Sequence, residues 1–393
     1  MSRFLSGKDY VRLAVLALVV MLLSWLAWTH AQAILDRQPL GIDFLPMWTA
    51  AHQAVFHSPH GVYNFVGLTR VQIPLLAHFH GLRPFVYPPP ALLAFAPFTF
   101  APFAVANAIW TAIGLILIVA IMASQVRSQR VLILLAMILS PASVLVVITG
   151  QITFVIAALT VVGLLSLKTR PILAGVLFGL AGSVKPQAMV LLPVAMLAIG
   201  QWRVMAAAAA TAALAALASV GVFGFQAWID WLAAMPRFEH FIMRTPGLER
   251  GVITPTGLGI SLGLDPAALD VWRLAFAVGG IAIAWTVFRK TEDPARRLTA
   301  LLGGGLFISP YAMHYDAALL APAAALMLTH RAQPRAWMMA LFTGALLCCA
   351  AIPHWGAAAV TGFVILVALT REDARFRAVQ PAVGSVRASE SPA

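Results

Sequence analysis

The sequence predicts an all-α polytopic membrane protein, and three features carry that expectation. Of the 393 residues, 61% are hydrophobic and only 10% are charged, a balance that no ordinary soluble domain requires. Apolar runs of about 14 to 24 residues recur from Val11 to Thr370, the pattern of a helical bundle rather than the short alternating segments of a β-barrel. The basic residues gather in short loops between alternate runs: Arg3, Lys8 and Arg12; Arg127 and Arg130; Lys168 and Arg170; Arg203; Arg289, Lys290, Arg296 and Arg297; Arg331 and Arg335.

Positive-inside bias places those loops on the cytoplasmic side. The formal charge of +12 is then topological, with membrane lipids of the anionic inner leaflet as its neighbours and no nucleic acid as partner. The first run, residues 11–33, ends in Ala31-Gln32-Ala33, which resembles a signal-peptidase site, but its apolar length of about 20 residues suits an uncleaved first span. Further spans are expected near 103–124, 131–149, 151–167, 171–184, 186–200, 204–225, 268–288, 297–310, 315–330, 335–352 and 356–370, giving about twelve with both ends cytoplasmic. Residues 88–100, "PPPALLAFAPFTF", cover only about 20 Å at helical rise and read as a re-entrant or short half-helix packed inside protein. Residues 1–370 therefore form a single membrane domain, and 371–393 a polar cytoplasmic tail expected to be disordered. Cys348 and Cys349 fall inside an apolar run and read as small buried hydrophobes.

Two sizeable segments, 35–87 and 226–267, fall on the outer face, and both are rich in Trp, Phe, His and Pro, as interfacial segments are. In the first, Phe44, Met47 or Trp48, Ala51 and Val55 recur at helical spacing, so residues 44–56 read as an amphipathic interfacial helix. Asp43 precedes it. An N-cap role and a role as general base toward a hydroxyl at the membrane boundary stand side by side for this carboxylate.

Lys185 interrupts "AGVLFGLAGSVKPQAMVLLPVAML". An ionisable group there is costly unless it pairs or faces a polar cavity, and a lysine so placed can hold a phosphate as a point charge. In "SPYAMHYDAALLAP", His314 reads as a site residue beside Tyr315, whereas Asp316 reads as the N-cap of the helix that follows; spaced two apart, the two do not share a helical face. Gln151 sits at an outer turn, and Arg83, Arg237, Arg244 and Arg250 supply outer cations suited to phosphate. His52, His57, His60, His78 and His80 fit no closed metal pattern, so no metal is expected. Neither G-x-x-x-x-G-K-[ST] nor G-x-S-x-G occurs, and the outer face carries no D-x-D, which removes nucleotide hydrolysis, serine hydrolase chemistry and a metal-bound nucleotide-sugar cradle.

"DFLPMWTAA", "YPPP", "GQITF", "AGVLFGLAGSVKPQAMVLLPV" and "SPYAMHYD", in that order and on one side of the membrane, resemble glycosyltransferase family 87, over roughly residues 10–370. The resemblance implies a GT-C-like bundle of about 12 transmembrane helices. It also implies inverting transfer of a sugar, mannose by default, from a polyprenyl-phosphate donor to a glycolipid or glycan acceptor, without cofactor, at the outer face of the cytoplasmic (inner) membrane. Under it Asp43 is the general base with His314 nearby. Lys185, Arg83, Arg244 and Arg250 offset the donor phosphate, and Tyr87, Gln151, Gln187 and Tyr315 line the cavity. The rival expectations are a lipid or small-solute transporter using Lys185 and the broken helices, and a non-catalytic membrane subunit. The transporter should spread its polar groups toward both faces, whereas here they gather on one.

Overall fold

The computed structural model describes residues 7–36, 38–75, 82–127, 129–245, 248, 251–329 and 356–369. Every regular element among them is helical, apart from an isolated antiparallel bridge between Val252 and Met313. In chain order the helices are α1 (Gly7–Leu35), α2 (Phe44–Phe56), α3 (Phe65–Gln72), α4 (Pro89–Phe95), α5 (Phe103–Gln125), α6 (Arg130–Ile138), α7 (Pro141–Thr149), α8 (Thr153–Ser166) and α9 (Pro171–Val184). They continue with α10 (Leu192–Ala198), α11 (Trp202–Phe223), α12 (Gln226–Arg244), α13 (Pro255–Ser261), α14 (Pro266–Lys290), α15 (Pro294–Leu298), α16 (Gly304–Ile308), α17 (Ala321–Thr329) and α18 (Gly356–Leu369).

Among the described residues, four helices are long and apolar enough to cross a bilayer, namely α1, α5, α11 and α14. Leu18, Trp25, Trp28, Ile116, Leu214, Leu217, Val271 and Leu274 on these helices are all more than half exposed. So much outward apolar surface is what a lipid environment covers. The span expected over 131–149 is two helices, α6 and α7, bent by 59°, and counting them as one span raises the number to five. The break lies at Ser140-Pro141: Pro141 starts α7, where its missing N–H costs nothing, and the Ser140 side chain accepts from the Ser143 N–H.

The remaining apolar helices, including α8, α9 and α18, are shorter. The expected span over 335–352, with Cys348 and Cys349, lies outside the described residues, as does the tail 371–393. Residues 88–100 form α4 continued by a 3₁₀ turn, Ala96–Phe100.

Helix α2 has the expected limits but not the expected surroundings. Phe44 to Met47 and Thr49 to Ala51 are buried. The Phe44 ring stacks on Trp110 at 5.8 Å and meets Phe95 and Phe98 edge-on at 6.3 Å, so α2 packs on protein where the pattern implied a headgroup layer. Helices α9 and α11 cross closely because Gly175 and Gly179, one helical turn apart, admit the α11 backbone. A Cβ on Gly175 would lie 2.5 Å from Val204 O, and one on Gly179 2.7 Å from Ala208 O. Small residues at this spacing are a familiar basis of helix association in apolar surroundings.

At another part of the bundle, Lys168 Nζ pairs with Glu292 at 2.5 Å. Arg297 donates to Thr291 O at 2.8 Å and Phe288 O at 3.1 Å. That arginine serves as a cap on the last carbonyls of α14, besides any orienting role.

Candidate active site

Segments far apart in the chain meet around a cavity of about 790 Å³, lined from α1, α2, residues 82–88, α7, the α9 terminus, α12 and residues 309–316. Asp43, Arg83, Tyr87, Gln151, Lys185, Gln187, His314 and Tyr315 all line it.

Asp43 is positioned by main chain. Gly41 N–H donates to Ile148 O at 2.8 Å and Asp43 N–H to Thr149 O at 2.9 Å, which pins the approach to α2 onto the end of α7. Helix α7 ends there because Gly150 adopts φ +76°, and Gly150 O accepts from Trp110 Nε1 at 3.1 Å. Although Asp43 occupies the N-cap position of α2, its backbone lies at φ −89°, ψ −20°, and its side chain makes no capping bond. Effective N-caps use an extended conformation that turns the side chain back on the helix. The Asp43 carboxylate instead crosses to Arg83, Oδ1 to NH1 at 3.3 Å, with side chains 17% and 20% exposed. The capping alternative therefore falls away.

Gly150→Ala should disturb this platform. Its Cβ would lie 2.6 Å from Asn107 Oδ1 and 2.7 Å from Phe44 Cβ, at a positive φ. Such strain costs on the order of 1–3 kcal/mol. A thermal midpoint lowered by several degrees together with reduced activity is the expected result.

Arg83 is held through its own backbone. Its N–H donates to Thr69 Oγ1 at 3.2 Å and its carbonyl accepts from Gln72 Nε2 at 3.0 Å, while the same amide group donates to Thr49 Oγ1 of α2 at 3.1 Å. Further along, Trp231 Nε1 donates to Val86 O at 3.1 Å, Tyr63 OH to Tyr87 O at 2.9 Å, and Tyr87 OH to Gln151 Oε1 at 3.2 Å. The "YPPP" and "GQITF" segments thus meet through a side-chain hydrogen bond.

Pro186 explains where Lys185 points. The residue before a proline is driven out of the helical region, and Lys185, at φ −132°, ψ 76°, ends α9. Its ammonium forms a buried ion pair with Asp316 Oδ1. Lys185 does not snorkel. Asp316 is also not the N-cap expected of it: it is the third residue of a 3₁₀ turn, His314–Leu319, and its Oδ2 accepts the Met313 N–H at 3.1 Å. One carboxylate oxygen thus serves the turn, while the other reaches a lysine 131 residues away in sequence.

The His314 ring packs edge-on to His30 at 6.3 Å and to Tyr315 at 6.0 Å. Burial and the nearby His30 push its pKa down to about 4, opposed by a hydrogen bond with the Gly251 backbone. At neutral pH it is an uncharged imidazole able to donate or accept a hydrogen bond. Between about pH 6.5 and 4 the unfolded chain binds more protons at this position than the folded one, so stability is lost as pH falls through that window. Thermal midpoints measured from pH 7 to 4.5 should fall, and His314→Gln should make the fall shallower.

Arg244 does not reach the cavity. On α12, Trp231, Met235, Phe238, Glu239 and Ile242 line it, whereas Arg237, His240 and Arg244 recur at helical spacing on the exposed face. Arg250, like His78 and His80, lies outside the described residues. His52, His57 and His60 are not among the lining side chains; His52 stacks on Trp48 at 5.0 Å. Among the described residues no group of three or more His, Cys, Asp or Glu could hold a metal ion.

His30, Tyr311 and Glu239 line the cavity without having stood out in the sequence. His30, Ile34 and Gln38, each four apart, trace one face from α1, and that spacing could have marked His30 inside its apolar run. Glu239 pairs with Arg273 of α14 at 3.3 Å.

Ion-paired and hydroxyl groups in a chamber walled by apolar helices mark a multi-pass membrane protein with a mixed polar and apolar site. The family model of glycosyltransferase family 87 matches residues 85–310, and the chain belongs to that family. It is therefore a membrane glycosyltransferase. The matched stretch contains Tyr87, Gln151, Lys185 and Gln187, while Asp43, Arg83, His314, Tyr315 and Asp316 flank it. No curated protein and no solved structure matches the chain.

Proposed function

We propose that the protein transfers a sugar, mannose by default, from a polyprenyl-phosphate donor to a hydroxyl of a glycolipid or glycan acceptor, within a GT-C-like bundle of about twelve spans whose cavity opens at the outer face of the inner membrane. The observation that carries this reading is the meeting of Asp43, Arg83, Lys185 and His314 in one cavity. One wall of that cavity, from Trp231, Met235, Phe238 and Ile242 of α12, is apolar enough to lie along a prenyl chain.

The acceptor hydroxyl loses its proton to Asp43, whose Oδ1 is steadied by Arg83. The acceptor oxygen bonds to the anomeric carbon as the bond from that carbon to the phosphate oxygen breaks, inverting the centre. The electron pair leaves with the polyprenyl phosphate, and Arg83 and Lys185 offset its growing charge. Neutral His314 offers hydrogen bonds to the sugar or the leaving group, and Tyr87, Gln151, Gln187 and Tyr315 shape the chamber.

Radiolabelled polyprenyl-phosphate hexoses and pentoses screened against membranes lacking and overexpressing the protein test this. One donor should lose label to a lipid or glycan product only where the protein is present. Equal consumption in both membranes would reject the reading.

A further inference from the structure

The described lining of the cavity has each of its cations matched by a carboxylate. Among the described lining residues, Arg83 faces Asp43 and Lys185 faces Asp316, while Glu239 is matched by Arg273. A phosphodiester brought into such a place adds one uncompensated negative charge, which an apolar enclosure tolerates poorly. Some carboxylate must share or surrender its partner.

We propose that Asp316 is a placeholder counter-ion: an incoming lipid phosphodiester takes Lys185 from it, and Asp316 takes up one proton from solvent in exchange. This rests on the phosphate-linked donor of the preceding section. Arg83 is the less suited to surrender its partner, because its fork of five donors can hold two anions at once and its pair with Asp43 is partly exposed. Lys185 and Asp316 have side chains only 5% and 7% exposed, and the lysine is a compact point charge.

Tyr87, Tyr311 and Tyr315 lie close enough to feel the charge of Asp316, and Tyr87 and Tyr315 feel that of Asp43 as well, with His314 two positions before Asp316. The helices packed against its 3₁₀ turn, α7, α8 and α17, carry no titratable side chain. Without Lys185, an ionised Asp316 would face the new phosphate in a cavity that Asp43 also lines, with the Met313 N–H as its remaining described donor. A protonated Asp316 keeps Oδ2 as acceptor for that N–H and turns an Oδ1–H donor toward the phosphodiester. One repulsion becomes one hydrogen bond.

Titration calorimetry of the full chain in nanodiscs at pH 6, in buffers of different ionisation enthalpy, counts the protons. The probe is farnesyl methyl phosphate, a diester that stays singly charged. Wild type should take up close to one proton per probe bound, with affinity weakening as pH rises, and Asp316→Asn should bind with uptake near zero. An infrared difference spectrum of wild type should show a new protonated-carboxyl band on binding, a readout that needs no variant. Binding without proton uptake or that band would overturn the exchange and leave Lys185 holding both anions, as would unchanged uptake in Asp316→Asn. Absence of binding would overturn both the exchange and the lipid-phosphate donor.

Discussion

Asp43→Asn should lower turnover by about 10²- to 10⁴-fold, the range that a positioned general base contributes, while leaving the fold in place. The amide is nearly isosteric and still offers an oxygen to Arg83. What fixes residue 43 is its backbone N–H on Thr149 O and the neighbouring bond from Gly41 to Ile148 O, both indifferent to the side chain. No capping bond is lost, because none exists. Initial rates and thermal midpoints on the same preparation separate the two effects. Normal turnover by the Asn variant would end the assignment of Asp43 as base.

The second large effect falls on stability. Lys185→Met or Asp316→Leu alone leaves one buried charge without its partner and should destabilise by about 3–5 kcal/mol. The double variant removes both charges and should recover most of that loss, since a buried ion pair is often no better than well-packed apolar side chains. Midpoints of the two singles and the double provide the cycle. Additive loss in the double would mean that the two side chains act independently. Activity should follow a different order: every chain lacking Lys185 should be impaired, including the stable double variant, because its cation serves the leaving phosphate.

Much of the architecture was legible because it is local. The limits of α2 at 44–56, the short piece over 88–100 and the end of α9 before Pro186 follow from apolar spacing, proline chemistry and the length of a bilayer. Surroundings were less legible. The pattern of α2 showed an apolar face but not whether lipid or protein would cover it, and Phe95, Phe98 and Trp110 supply the cover.

The site divides in the same way. Asp43, Lys185 and His314 stood out because each is a polar interruption of apolar sequence, and they share the cavity. Their partners did not stand out. Asp316 lies far along the chain from Lys185 and looked like a local cap, and the Arg83 clamp depends on Thr49, Thr69 and Gln72, side chains with no signature of their own. Arg244 shows the converse: one position on α12 decides whether an arginine faces the cavity or the exterior.

The most direct measurement is sugar transfer by the purified protein in nanodiscs, given a radiolabelled polyprenyl-phosphate sugar and, in a parallel arm, the same sugar as a nucleotide diphosphate. Label should move to acceptor from the lipid-phosphate donor alone, and only when Asp43 is intact. Transfer from the nucleotide sugar, or from neither donor across the hexoses and pentoses, would contradict the account.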